Sequence, residues 1–380
     1  MLTLTAAALL FLAIWIVVPA PVVWVLPLGV LAPEVSPILL GLSGIVLLLS
    51  LRRLGTRKMA VVLALAATAI SAIPISKLSA VEREFDAAFA RAFPEAARTP
   101  PTPDARARPV VWRDLLLGIQ TGDVRVHRAL RYAAPDGRSL ALDVYRPAAP
   151  GTYPILVQIY GGAWQWGNRT DNETFARYFA SRGYVVMAVE YRHAPAAPWP
   201  AALADVRAAL AFTATNAASY EGDPSRIAVI GRSSGAQLAL LAAYAGESRV
   251  RAAVSYYGPS DLATAWHEPP QPDPVSVRSV LEVFLGGTPE TVPDRYRAAS
   301  PITYASGSVP PTLLIHGGRD HVVPPAFARS LQTQLRASGA RSLLLEIPWA
   351  EHAFDFLPNG LSAQIALYYT ERFLAAQLAR

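Results

Sequence analysis

The sequence predicts a mostly parallel β-sheet wrapped by helices, an α/β architecture, preceded by an N-terminal α-helical membrane region. Three observations carry this. From about Val110 onward, short apolar runs alternate with longer helical ones, the rhythm of strand–helix repeats. Several of the short runs are continuously apolar, as strands covered on both faces are. Finally, the 380-residue chain is 52% hydrophobic and 16% charged, and the apolar excess sits mostly in its first 76 residues.

Three apolar stretches open the chain: Leu2 to about Leu31, broken by Pro19, Pro21 and Pro27; Pro37 to Leu51; and Met59 to about Ile75. A spanning helix needs ~20 mostly apolar residues, with ~17 tolerated. The first and third qualify and the second is short, so two to three transmembrane helices are expected in residues 1–76. Arg52, Arg53, Arg57 and Lys58 form a compact basic loop, and such loops stay cytoplasmic. The amino terminus then shares that side if three helices span, and the third helix delivers the following domain outside the cytoplasm. A cleaved signal peptide is the alternative, and it leads to the same extracytoplasmic location. Beyond, Ser79 and Glu82 have capping-box spacing, and Val81, Phe85, Phe89 and Phe93 recur every four residues. This stripe either lies on the membrane surface or packs on the domain that follows. Residues Arg98 to Pro109 read as a Pro/Arg-rich linker, so 77–109 form an amphipathic helix plus linker and 110–380 a second domain.

In that domain the candidate strands are Leu140–Tyr145, Ile155–Tyr160, Tyr184–Tyr191, Ile227–Ile230, Ala252–Tyr257, Leu313–His316 and Leu343–Ile347. The candidate helices are Asn172–Ser181, Pro200–Ala218, Gly235–Ala245, Ala326–Ser338 and Leu361–Leu378. The first strand belongs to an antiparallel hairpin at one edge. A Pro-rich stretch at about 259–301 reads as an insertion.

Gly231-Arg232-Ser233-Ser234-Gly235 follows the strand Ile227–Ile230 and precedes a helical run. A G-x-S-x-G pentapeptide is weak alone; between strand and helix it is the nucleophile elbow of the α/β-hydrolase fold. A phosphate-binding loop would carry a lysine that this motif lacks. About 70 residues earlier, Tyr160-Gly161-Gly162-Ala163-Trp164 ends another strand, where this fold draws an oxyanion donor. The backbone N–H groups of Gly162, Ala163 and Ser234 are the expected oxyanion hole. Asp320 ends the strand-and-turn segment Leu313–Asp320, and His352 follows the next strand. The order serine, acid, histidine is the one this fold uses, with Asp320 holding the tautomer of His352 and His352 acting as base toward Ser233. Of the other histidines, His127 and His193 lie before the elbow and His267 in the insertion, while His316 and His321 flank the acid as local hydrogen-bonders. Glu351 and Asp355 compete with Asp320, but neither ends a strand.

At these motifs the chain, over about residues 130–375, resembles known esterase families. The elbow, the Gly-Gly-Ala-Trp loop, Tyr191-Arg192-His193-Ala194-Pro195 and Trp199-Pro200-Ala201-Ala202-Leu203-Ala204-Asp205 resemble the hormone-sensitive-lipase group of carboxylesterases. Asp143-Val144-Tyr145-Arg146-Pro147, Tyr257-Gly258-Pro259-Ser260-Asp261-Leu262 and Phe284-Leu285-Gly286-Gly287-Thr288-Pro289 are closer to the bacterial feruloyl-esterase-like hydrolases. Both resemblances imply ester hydrolysis through a Ser-Asp-His triad, with Arg192 and Asp205 as structural residues. Two departures bear on substrate preference: the His-Gly-Gly-Gly loop reads Tyr160-Gly161-Gly162-Ala163, and the residue before the nucleophile is Arg232.

The expected function is therefore acyl-ester hydrolysis by a serine hydrolase on a small-molecule or lipid ester. The runner-up is acyl transfer to a lipid or glycan acceptor, and a catalytically silent binder on the same fold is the third reading. Trp164, Trp166, Tyr257, Trp266 and Phe284 either wall the substrate pocket or belong to the core. No cofactor is required, and HxH and HExxH metal patterns are absent. The chain has no cysteine, which excludes disulfides, thiolate metal sites and cysteine nucleophiles. Its net charge of +6 comes from scattered basic residues without an aromatic–basic motif, so nucleic acid is not an expected partner.

Overall fold

The computed structural model describes residues 1–52, 54–97, 104–246 and 249–379. Arg53 of the basic loop and residues 98–103 of the linker lie outside the described residues. The apolar amino-terminal stretches become α1 (Leu2–Ala13), α2 (Leu26–Glu34), α3 (Ser36–Leu51) and α4 (Leu54–Ala92). Helices α1, α3 and α4 pack together. Their shared core combines Ala6, Ala13, Ala64 and Ala67 with Leu9, Leu39 and Val46, while Phe11, Ile45, Leu48, Val62 and Leu65 face outward. Thr68 donates to the Ser43 hydroxyl across the α3–α4 contact at 3.1 Å.

Two expectations change here. Pro19 and Pro21 interrupt the first apolar stretch, because proline has no N–H to continue a helix, while Pro27 sits in the first turn of α2, where none is needed. The stretch therefore becomes two helices, α1 and α2, joined by an irregular segment. Helix α4 is 39 residues long and runs through the boundary expected after residue 76. Ser79 and Glu82 thus lie inside a helix and cap nothing; their spacing matched a signal that only a free helix end can use. The Phe stripe packs on the following domain. Phe85 and Phe89 meet Tyr369 at ring distances of 5.7 Å each, and Phe93 meets Phe373 at 4.9 Å.

After the short helix α5 (Trp112–Leu117) come β1 (Val124–Ala133), β2 (Leu140–Pro147), β3 (Tyr153–Ile159), α6 (Glu173–Ala180) and β4 (Val185–Val189). Next are α7 (Ala201–Asn216), β5 (Gly222–Arg232), α8 (Ser234–Tyr244) and β6 (Val250–Tyr256). Three short helices follow: α9 (Leu262–His267), α10 (Val277–Leu285) and α11 (Pro293–Ala298). The chain ends with β7 (Thr312–Gly317), α12 (Ala326–Ala337), β8 (Ser342–Ile347) and α13 (Leu361–Gln377).

The strands form one sheet in the order β1-β2-β4-β3-β5-β6-β7-β8. Strand β2 pairs antiparallel with both β1 and β4, and every other pairing is parallel. Core residues cluster on both faces of the sheet, which is why its central strands read as unbroken apolar runs. The hairpin partner β1 was not among the expected strands. Its apolar–polar alternation is interrupted at Ala129, whose φ of 53° marks an irregularity that shifts the register between His127 and Leu130. A second shift lies between Arg131 and Ala133; such bulges leave an extra residue unpaired and break the alternation of the strand.

Candidate active site

The carboxyl ends of β5, β7 and β8 lie along one edge of the parallel sheet, where open α/β sheets bind ligands. Each brings one side chain. Ser233 stands between β5 and α8 with φ 51° and ψ −124°, a conformation that L residues rarely adopt and that costs about 1–3 kcal/mol. Glycine at the elbow is a steric requirement: a Cβ on Gly231 would lie 2.1 Å from the carbonyl oxygen of Gly235. The Ser233 N–H donates to Tyr256 O of the neighbouring strand at 3.0 Å, which holds the turn against the sheet.

His352 Nε2 lies 3.0 Å from Ser233 Oγ, and its Nδ1 lies 2.8 Å from Asp320 Oδ2. An ionised carboxylate only accepts, so the imidazole proton sits on Nδ1 and Nε2 is left to accept from the serine hydroxyl. The other oxygen of Asp320 accepts from the backbone N–H groups of Val322 at 2.9 Å and Val323 at 2.7 Å. Burial alone would raise the Asp320 pKa, but His352 and His316 beside it hold it well below the usual carboxylate range. For His352, burial opposes the charged form, yet the attraction of Asp320 and its hydrogen bond prevail. Its pKa therefore lies above the ordinary histidine value.

The other candidates resolve into supports. His316 Nε2 donates to Val323 O at 2.7 Å, next to Asp320. Glu351 clamps the histidine loop: it accepts from the N–H of His352 at 2.9 Å, from the N–H of His321 at 2.7 Å, and from His321 Nδ1 at 2.6 Å. Asp355 accepts from Arg232 Nε at 2.5 Å and from the Tyr257 hydroxyl. Arg232 lies buried between Asp355 and the rings of Phe175 and Tyr256. Tyr257 in turn packs edge-on against the His352 ring at 4.7 Å. This Arg232–Asp355–Tyr257 group was invisible in sequence, because its members are 25 to 123 residues apart and follow no local spacing. Arg192 and Asp205 form a bidentate ion pair away from the serine. His193 bonds the Tyr160 hydroxyl at 2.8 Å.

Gly162, Ala163 and Ser234 line a cavity of about 540 Å³ that also contains Ser233 and His352, a size typical of small-molecule sites. The Tyr160–Trp164 loop sits directly against the elbow; a Cβ on Gly161 would be 2.8 Å from Arg232 O and 3.1 Å from Ser233 Cβ. Positive φ angles cluster around the cavity, at Ala163 (51°), Trp164 (60°), Tyr257 (42°) and Ala353 (54°). Trp164, Trp166 and Tyr257 line it, whereas Trp266 and Phe284 do not. Phe284 is stacked behind Trp164 at 4.2 Å, and the Trp266 indole donates to Glu282 under the Arg278 guanidinium. Both are bulky apolar residues claimed by packing. Val23 and Leu26 also line the cavity; their distance in sequence from every other wall residue left no signal to find them by.

Comparison with known proteins fits this geometry. The BD-FAE family matches residues 142–335, a span that holds Ser233 and Asp320 and stops before His352. The probable carboxylic ester hydrolase LipM of Mycobacterium tuberculosis is 34% identical over 340 residues, covering 81% of this chain and 76% of that protein. The esterase LipQ of the same organism is 35% identical over 264 residues, covering 62% of this chain and 61% of LipQ. Among solved structures, a truncated carbohydrate esterase from gut microbiota superposes with a TM-score of 0.54 at 26% identity, covering 66% of this chain and 96% of that one. With its α/β-hydrolase sheet and these relatives, the chain belongs to the BD-FAE family and is a carboxylic-ester hydrolase.

Proposed function

We propose that the protein is a membrane-anchored serine carboxylesterase that works through Ser233, His352 and Asp320. The observation that carries this reading is the continuous hydrogen-bonded line from Ser233 Oγ through the imidazole to Asp320. Ser233 Oγ attacks the ester carbonyl while His352 Nε2 takes its proton. The oxyanion that forms meets the N–H groups of Gly162, Ala163 and Ser234. Collapse expels the alcohol, which receives the proton from His352 and leaves an acyl-Ser233 ester. Water then attacks that ester, His352 takes the water's proton, and the carboxylic acid departs as Ser233 Oγ regains a proton. Asp320 stabilises the imidazolium in both halves.

Purified full-length protein is expected to release acid and alcohol in equal amounts from a short-chain ester with rapid multiple turnover. The His352→Ala variant should lose that turnover. A burst of alcohol that stalls until an alcohol acceptor is added would instead mark acyl transfer and overturn the hydrolytic reading.

The membrane part rests on the outer face of the amino-terminal bundle. Phe11, Ile45, Leu48, Val62 and Leu65 stay exposed there, an apolar surface that suits lipid rather than water. The segment Lys58–Ala92 is also long and apolar enough to cross a bilayer. The basic cluster at residues 52–58, at its start, supports a cytoplasmic position for that end and an extracytoplasmic one for the hydrolase. In intact cells a Thr56→Cys protein should therefore resist an impermeant thiol reagent, and an Asp294→Cys protein should react. No native cysteine obscures the result, and the reverse pattern would overturn the orientation.

A further inference from the structure

The segment between α1 and α3 does more than connect two helices. Its backbone is fixed to the hydrolase at one end, where Arg319 donates to Val17 O at 2.5 Å. At the other end the fully buried Glu34 accepts from the N–H of Ser362, in the first turn of α13, at 2.7 Å. Its side-chain oxygen satisfies helix N–H groups that have no partner within the helix. Between these anchors, Val23 and Leu26 enter the wall of the cavity that holds Ser233. The insertion supplies apolar neighbours, among them Val280 and Leu281. Trp166 and Phe356, which line the cavity, are 57% and 74% exposed, and Trp24, next in sequence to the wall residue Val23, is 89% exposed. Rings of that size left in water are unfavourable, whereas the bilayer interface accommodates them.

The anchors also fix the level of the mouth. The hydrolase meets the end of α1, the start of α3 and the latter half of α4. The amino terminus, the end of α3 and the start of α4 therefore lie at the far end of the bundle. Helix α3, with 16 residues, puts these two ends roughly 24 Å apart at 1.5 Å per residue. On the membrane reading given above, on which this inference rests, the cavity opens where the bundle leaves the bilayer.

We infer that the substrate is an ester of a bilayer-resident amphiphile. It enters sideways past Trp24, Trp166 and Phe356, and its apolar chain lies along Val23 and Leu26 while its carbonyl reaches Ser233. The membrane segment is then part of the substrate site as well as an anchor.

The test uses the full-length chain in phosphatidylcholine vesicles with two probes, p-nitrophenyl acetate in water and p-nitrophenyl dodecanoate dissolved in the same bilayer. The quantity read is the ratio of kcat/KM for dodecanoate to that for acetate, which partial loss of folded protein does not alter. Leu26→Trp, which fills the wall, should lower the ratio about ten-fold or more, the scale of one lost apolar contact in a pocket. Leu26→Ala, which removes the contact without adding bulk, should move it in the same direction. The wild-type dodecanoate rate should follow the mole fraction of ester in the bilayer. A ratio within two-fold of wild type in both variants, or a rate set by bulk concentration alone, would overturn the inference. Ser233→Ala in the same vesicles separates the two claims. If it abolishes both rates while the ratio in the Leu26 variants stays put, only the substrate inference falls. If it leaves both rates intact, the reading of the site itself has failed.

Discussion

Ser233→Ala is expected to lower kcat/KM for any ester the wild-type protein cleaves by on the order of 10⁶-fold, the scale found for a nucleophile acting as one unit with its base. The change deletes one oxygen. It leaves the elbow backbone held by the Ser233 N–H bond to Tyr256 O. Alanine at φ 51° is as strained as serine there, so the thermal midpoint should stay close to that of the wild type. Residual hydrolysis would come from the donors and the cavity alone. A loss smaller than ten-fold would show that the nucleophile lies elsewhere, with the adjacent Ser234 the first suspect.

Asp320→Asn is expected to cost about 10⁴-fold in kcat, as the equivalent change does in a serine protease with the same constellation. The loss has two parts. The amide can donate to Nδ1, which favours the tautomer with its proton on Nε2, pointing at Ser233 and unable to accept. The charge that stabilises the imidazolium also disappears. A pH profile separates this from general damage. In the wild type the His352 pKa is raised above the ordinary value, with burial working against the charged form and Asp320 supplying the main attraction that overrides it. Only neutral His352 can take the serine proton, so kcat/KM should rise with pH through that elevated pKa. Without the carboxylate, burial is less opposed, the pKa falls, and the acid limb should move to lower pH. An unmoved limb would mean that another group titrates in it.

The sequence carried the centre of the site because its chemistry is local. The elbow, the Gly-Gly loop and Asp320 each lie at a strand end, and apolar runs bounded by glycine mark strand ends well. Strand β1 was harder, since the irregularity at Ala129 breaks its alternation. Helix α4 misled for a different reason: the Ser79–Glu82 spacing imitates a start signal within a continuous helix. The expected pocket walls divided by packing. Trp164 and Tyr257 reach the cavity, while Phe284, of similar character, is stacked behind Trp164. The supports at Glu351 and Asp355 and the wall residues Val23 and Leu26 depend on contacts between distant segments. No window of the sequence contains them.

The most direct test of the central claim is to treat the full-length protein with a fluorophosphonate and locate the modified residue by peptide mass spectrometry. The account predicts a single adduct on Ser233, with labelling lost in Ser233→Ala and slowed in Asp320→Asn along with the esterase activity. An adduct on Ser234 or another residue, or labelling that persists in Ser233→Ala, would contradict it.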